Sequence, residues 1–406
     1  MIFITGATGF LGREVLGRLL VANQDEEFCV VVRPSKELSA EKRMRAVLEN
    51  MFGAEKTSQY LNRVKVIPGD LSLANMGVGE TELENLANQT SSVLHCAATT
   101  SLGQALEDAR EANVASTQNV LKFCDKAAEK NRDSFELHHV STAYVAGDTN
   151  AVVLPSELRP TGSFRNAYEK SKAEAEALVR DAHDRFNVQI YRPSMIVGDS
   201  VTGETSAFNV IYIPTRYLAQ GICSILPARE NTPCDIVPVD YVADAIVALS
   251  QQRIKSGHCY HLCSGVGRES TLSEMVELII TFFSAYRKKK KSLLQAPLLV
   301  PPETILTLQN AALQGVKHLE ARFSRGFRVL KEILHLLPYM ASNPQFNTDD
   351  TVKALNGVMT EPPLFRDYAE AVFTYCLHTN WGKEEWTNPL ELDNWYRRYQ
   401  LANISA

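Results

Sequence analysis

The sequence predicts an α/β protein: a doubly wound parallel sheet followed by a smaller, mainly helical C-terminal region. Three observations carry that expectation. Short apolar runs alternate with helical patterns along the first 265 residues, the arrangement of a parallel sheet covered on both faces. A glycine-rich turn joins the first apolar run to the first helical pattern. From Thr271 onward the pattern turns helical. The composition agrees, since 406 residues with 45% hydrophobic and 22% charged side chains are ordinary globular values and suffice for two domains.

Taken in order, residues 1–4 form a buried-strand run and 11–20 repeat apolar side chains at helical spacing. Residues 28–32, 64–67 and 93–96 are further strands. A helix is expected over 106–124, a strand over 135–140, a helix over 168–186 and a strand over 188–191. Residues 199–232 mix Gly, Thr and Pro with Phe208, Tyr212 and Tyr217 and read as a pocket-building excursion, its aromatics either pocket wall or core. Residues 236–249 read as strand, turn and helix rejoining the main sheet, and 260–263 as a last strand. The expected domains are 1–265 and a helical 266–406. Within the second, residues 287–291 are five consecutive cations, Pro297, Pro301 and Pro302 read as a hinge, and 305–337 as a basic amphipathic helix.

The net charge of -5 gives no whole-chain reason to expect nucleic acid. No apolar stretch is long enough for a transmembrane helix, although a basic amphipathic helix permits peripheral membrane contact. The N-terminus runs straight into Gly6 without a secretory layout. Eight scattered cysteines fit reduced thiols and a cytoplasmic location. Cys259 and Cys263 lack the partners a zinc site needs, so no metal is expected.

The chemistry is carried by a few short motifs. In Gly6-Ala-Thr8-Gly9-Phe10-Leu11-Gly12 the glycines permit a tight turn and close approach to a pyrophosphate, and the helix that follows offers free N–H groups. The second strand ends in Arg33, where a carboxylate would hold a ribose 2′-hydroxyl. An arginine suits a 2′-phosphate, with Arg43 reaching back from the next helix, and this favours NADP over NAD. Asp70, followed by Leu71, stands after the third strand either as an adenine contact or as a turn cap. Ala97 belongs to a run of small residues beside His95, itself read as a packed core histidine. Tyr168 and Lys172 lie four apart on one helix face. A neighbouring ammonium lowers a phenol's pKa and equips it for proton transfer. One unit earlier, Thr142, or failing it Ser141, ends a strand with a hydroxyl that can orient a carbonyl.

These motifs resemble the extended short-chain dehydrogenases/reductases, which have a Rossmann-like sheet. The resemblance rests on TGATGFLG, VVVR, GDL, VSTAYVAG, YEKSK and YRPSMIVG. Within that superfamily the chain is most similar to fatty acyl-CoA reductases and carrier-protein thioester reductases, through HCAATTSL, RPSMIVGDSVTGET, IVPVDYVADAI and a C-terminal YMASNPQFNTDDTVKALNG. The resemblance implies NADP(H) as cofactor and reduction of an acyl thioester to aldehyde or primary alcohol. It implies Thr142, Tyr168 and Lys172 as the catalytic triad, and Asn113 as a structural or proton-relay asparagine. It further implies 2′-phosphate contacts from Arg33 and Arg43, an adenine contact from Asp70, and Pro193 and Ser194 over the nicotinamide amide. These 406 residues show no adenylation or carrier motif, so the implied thioester donor, acyl-CoA or acyl carrier protein, is expected to be a separate partner. Two other readings compete. One is a nucleotide-sugar epimerase or dehydratase of the same superfamily; the other is a non-catalytic NADP-binding regulator.

Overall fold

The computed structural model describes residues 1–129, 134–223, 225–252, 257–287, 294–302, 336–341 and 343–384. Seven parallel strands form the central sheet: β1 (Ile2–Thr5), β2 (Phe28–Val32), β3 (Val64–Pro68), β4 (Ser92–His95), β5 (Glu136–Val140), β6 (Asn187–Pro193) and β7 (His258–Leu262). Their order is β7-β6-β5-β4-β1-β2-β3. The chain therefore winds out from β1 in one direction through β2 and β3, then returns and winds out in the other. The crevice opens where the order reverses, between β1 and β4.

Side chains alternate across the pleat and divide the core in two. Ile4, Val30 and Leu94 face one layer, where the helices Phe10–Ala22, Ala40–Phe52 and Val239–Ser250 bring Leu16, Met44 and Ile246. Phe3, Val31 and Val93 face the other, where the helices Glu80–Gln89, Ser116–Ala128 and Ala167–Arg180 bring Leu86, Phe123 and Val179. Being buried on both faces explains why β2 reads as an unbroken apolar run.

A third core gathers the helix Tyr212–Ala219, the short strand Ile236–Pro238 and the helices Leu272–Arg287 and Phe365–His378. Two-residue and three-residue strands stitch the later chain to the earlier one. Leu298–Val300 pairs with Ile225–Pro227, and Gln345–Phe346 with Val152–Val153.

Three expectations need correction. Ile236–Pro238 does not rejoin the main sheet; it pairs with Met195–Val197 in a separate two-stranded sheet, because the edge place beside β6 is taken by β7. The helix expected over 106–124 is interrupted by a π-helical turn, Glu111–Ala115, and continues to Ala128. The helix expected to reach 186 stops at Arg180, with the Asp181 N–H closing on Ala177. The cationic run 288–291 and nearly all of 305–337 lie outside the described residues.

Candidate active site

Two cavities share the mouth of the glycine turn. One, of about 930 Å³, is lined by Gly6, Thr8, Gly9, Arg33, Arg43, Asp70, Leu71 and Ala97. The other, of about 590 Å³, shares Gly6, Thr8 and Gly9 and adds Phe10, Leu11, Gly12, Thr142, Tyr168, Lys172, Pro193 and Ser194. Of the residues expected to serve catalysis or hold the cofactor, only Asn113 lines neither.

The turn needs its glycines. Gly6 has φ +75°, where an L side chain is strained, and a Cβ there would stand 2.7 Å from the Ala97 nitrogen. A Cβ on Gly12 would stand 2.1 Å from the Gly6 carbonyl oxygen. No side chain caps the helix that begins after Gly9, so its first N–H groups remain available to an anion. This side-chain-free cradle against a helix N-terminus fits a dinucleotide pyrophosphate.

At the outer end, Arg33 approaches Asp70 at 3.5 Å, and Arg43 donates to the Arg33 carbonyl. Burial pushes the Asp70 carboxyl up, but the Ser72 amide and hydroxyl (3.0 and 2.9 Å) and Arg33 outweigh it and hold the pKa below the usual value. Asp70 thus caps its own turn while lining the cavity.

At the inner end, Thr142 and Tyr168 line the cavity together, and the Thr142 hydroxyl acts on the Tyr168 phenol. Thr142 also lies 3.4 Å from the Pro193 carbonyl. Lys172 is buried, and its Nζ donates to the Val140 carbonyl at 2.8 Å. The expectation of a lowered phenol pKa is corrected. Desolvation pushes Tyr168 up to about 12, against the Thr142 hydroxyl, and pulls Lys172 down to about 8, against Cys96 and Glu176. The ammonium is turned to a backbone carbonyl, and enclosure governs the phenol. Ser141 is removed from contention for the reacting carbonyl: its hydroxyl donates to Glu176 at 2.6 Å.

Asn113 sits in the π-helical turn, a local irregularity that turns one side chain inward. Its amide accepts from the Thr99 N–H (2.8 Å) and donates to the Ser171 hydroxyl (2.9 Å), which in turn donates to the Tyr168 carbonyl (2.9 Å). Asn113 therefore ties the loop after β4 to the helix bearing Tyr168. His95 is buried between the Thr5 and Thr117 hydroxyls (2.7 and 3.1 Å), and burial lowers its pKa to about 3. It packs as a neutral core residue.

Several residues of the site escaped sequence reasoning. Cys96 lines both cavities; Tyr144, Met195 and Tyr339 line the inner one, and Asn209 and Val210 line both. The excursion does build wall, but through 206, 207 and 209–211. Its aromatics turn away: Phe208 stacks on Tyr375, and the Tyr212 hydroxyl accepts from the Gly198 N–H at 2.8 Å. Glu176 and Arg192, which meet at 2.7 Å behind Ser141 of the inner cavity, were missed as a pair. The only sequence signal for them was their membership of the YEKSK helix and the YRPSM run.

Known proteins resemble this arrangement. The chain is 29% identical over 276 residues to the non-canonical nonribosomal peptide synthetase cpsA of Aspergillus campestris, a match that takes 64% of this chain and 25% of that protein. It is 26% identical to the putative fatty acyl-CoA reductase CG8306 of Drosophila melanogaster, over 70% of this chain and 63% of that one. The crystal structure of the terminal R domain from the myxalamid PKS-NRPS biosynthetic pathway superposes with a TM-score of 0.74 at 26% identity, covering 94% of this chain and 92% of that domain. Fold and relatives together place the chain among the extended short-chain dehydrogenases/reductases, in the thioester-reductase branch. The chain belongs to the male sterility protein family, whose profile matches residues 4–246. It spans about a quarter of the length of the synthetase it matches.

Proposed function

We propose that the protein reduces an acyl thioester, with NADPH as reductant, to an aldehyde or primary alcohol. The observation that carries this reading is the convergence of Thr142, Tyr168 and Lys172 on the same cavity as the glycine turn. In this reading Gly6, Thr8, Gly9, Phe10, Leu11 and Gly12 hold the pyrophosphate, Arg33 and Arg43 the 2′-phosphate, and Asp70 and Leu71 the adenine. Ala97, Pro193 and Ser194 flank the nicotinamide. Residues 1–265 carry the cofactor, and 266–406 complete the substrate side. The donor is acyl-CoA or an acyl carrier protein, and the setting is the cytoplasm.

When bound, NADPH supplies the hydride to the thioester carbonyl carbon. Thr142 and Tyr168 donate hydrogen bonds to the carbonyl oxygen and stabilise its developing charge. With a pKa near 12, Tyr168 holds its proton at neutral pH and can give it to that oxygen. Lys172 keeps a positive charge beneath the site while protonated. Asn113 holds the Tyr168 helix in register with the loop after β4. The protonated product, a hemithioacetal, splits into aldehyde and free thiol, and a second reduction yields the alcohol.

The test is NADPH consumption and product analysis with acyl-CoAs and carrier-bound acyl groups across pH. Aldehyde or alcohol is expected, with the rate falling as pH rises through about 8 and Lys172 loses its charge. No turnover of any thioester, or turnover of a nucleotide-sugar instead, overturns the reading.

A further inference from the structure

Beyond the catalytic cavity lies a chamber of about 80 Å³ that the reaction as described does not use. Met195, Val210, Ile211 and Tyr339 line both spaces, so one wall is common to them. Among the described residues, the lining that the catalytic cavity does not share includes Met275, Val276 and Ile279, all buried, from one face of the helix Leu272–Arg287. Protein interiors pack to crystal density and seldom keep voids larger than a water molecule. This void has room on the order of five to eight water-sized groups, and its lining offers almost nothing for water to bond. It suits an aliphatic chain of about that many carbons.

The shared wall is well fixed in one part and soft in another. Asn166, which caps the catalytic helix, donates from Nδ2 to the Tyr339 hydroxyl at 2.8 Å. The Arg165 guanidinium lies 4.4 Å from the Tyr339 ring centre, and Tyr144 meets that ring edge-on at 5.6 Å. The same wall holds Met195, a flexible thioether directly after Ser194. An alkyl tail leaving Thr142 and Tyr168 for the chamber would cross a wall that contains both a held aromatic ring and a yielding methionine.

We propose that this chamber receives the aliphatic tail of the acyl group and sets the preferred chain length, with Val276 and Ile279 as the specificity-determining residues in its lining. The proposal rests on the thioester-reductase reading. It is tested with acyl-CoAs of four to sixteen carbons on wild type, Val276→Phe and Ile279→Ala, together with calorimetric binding of 1-octanol, which needs no turnover. Val276→Phe is expected to lower the eight-carbon to four-carbon kcat/KM ratio at least tenfold and to abolish octanol binding. Ile279→Ala is expected to move the preference to longer tails, and it carries the test alone if the Phe variant does not fold. Unchanged chain-length profiles and unchanged octanol binding overturn the chamber while the reductase reading stands. Octanol binding that Val276→Phe abolishes, in a protein that reduces no thioester, supports the chamber as an alkyl site and overturns the reductase reading.

Discussion

At the open end of the cleft, Arg33 pairs with Asp70 at 3.5 Å while 73% of its side chain meets solvent; at the closed end, Arg192 pairs with Glu176 at 2.7 Å and neither is exposed. The same two chemical groups do different work because their surroundings differ. In water the attraction is screened and contributes little to the fold, so the outer guanidinium stays available to a ligand. In the interior an unpaired charge is far too costly, so the inner pair is saturated. Glu176 accepts from Arg192, from Arg180 at 2.8 Å and from Ser141, and Arg192 also donates to the Glu157 carbonyl at 2.8 Å. The outer end is thus built from backbone and an exposed ion pair, and the inner end from locked side chains.

The sharpest way to break this contrast is at the inner end. Tyr168→Phe removes the proton donor and keeps the ring, so kcat is expected to fall by about 10² to 10⁴-fold, with NADPH affinity little changed in a binding titration. A loss under tenfold would mean that the phenol is not the acid. Glu176→Gln comes next. It leaves Arg192 buried without its counter-charge and is expected to cost about 3–5 kcal/mol in denaturant unfolding. Burial pushes the Glu176 carboxyl up, but its arginines and Ser141 outweigh burial and bring it to about 2, below the unfolded value. Its stabilisation is therefore present above about pH 4.5 and lost as pH falls toward 2. The Gln variant should lack that acid-dependent slope, and equal slopes would show that the pair is not what holds the inner end. Arg33→Ala is the smallest, at about a tenfold loss of preference for NADPH over NADH from a charge-assisted contact, with the unfolding midpoint unmoved. An unchanged preference would assign the 2′-phosphate elsewhere.

The legibility of the two ends differs for the same reason. The glycine turn is local: seven consecutive residues, with Gly6 at a positive φ and Gly12 packed against the Gly6 carbonyl, announce themselves in the sequence, although Gly6 also makes room for the distant Ala97. Tyr168 and Lys172 are equally local, one helical turn apart. The link from Asn113 through Ser171 to Tyr168 spans 58 residues in the chain, and nothing in its spacing marks it. The strand at Ile236 joins a small separate sheet and not the main one, because an apolar run states that it is buried but not which strand it will meet.

The sequence by itself determined the alternation of strand and helix, the glycine cradle, the cationic position after β2 and the phenol–ammonium pair, because periodicity and near-neighbour sterics act over a few residues. Only the tertiary structure decided that the phenol is governed by enclosure and not by its lysine. It alone committed Ser141 to Glu176 and left Thr142 for the cavity, and it alone joined Met195, Val210, Val276 and Tyr339 around one chamber. Desolvation and cavity shape are properties of what surrounds a group in space, and that neighbourhood exists only once distant segments have packed.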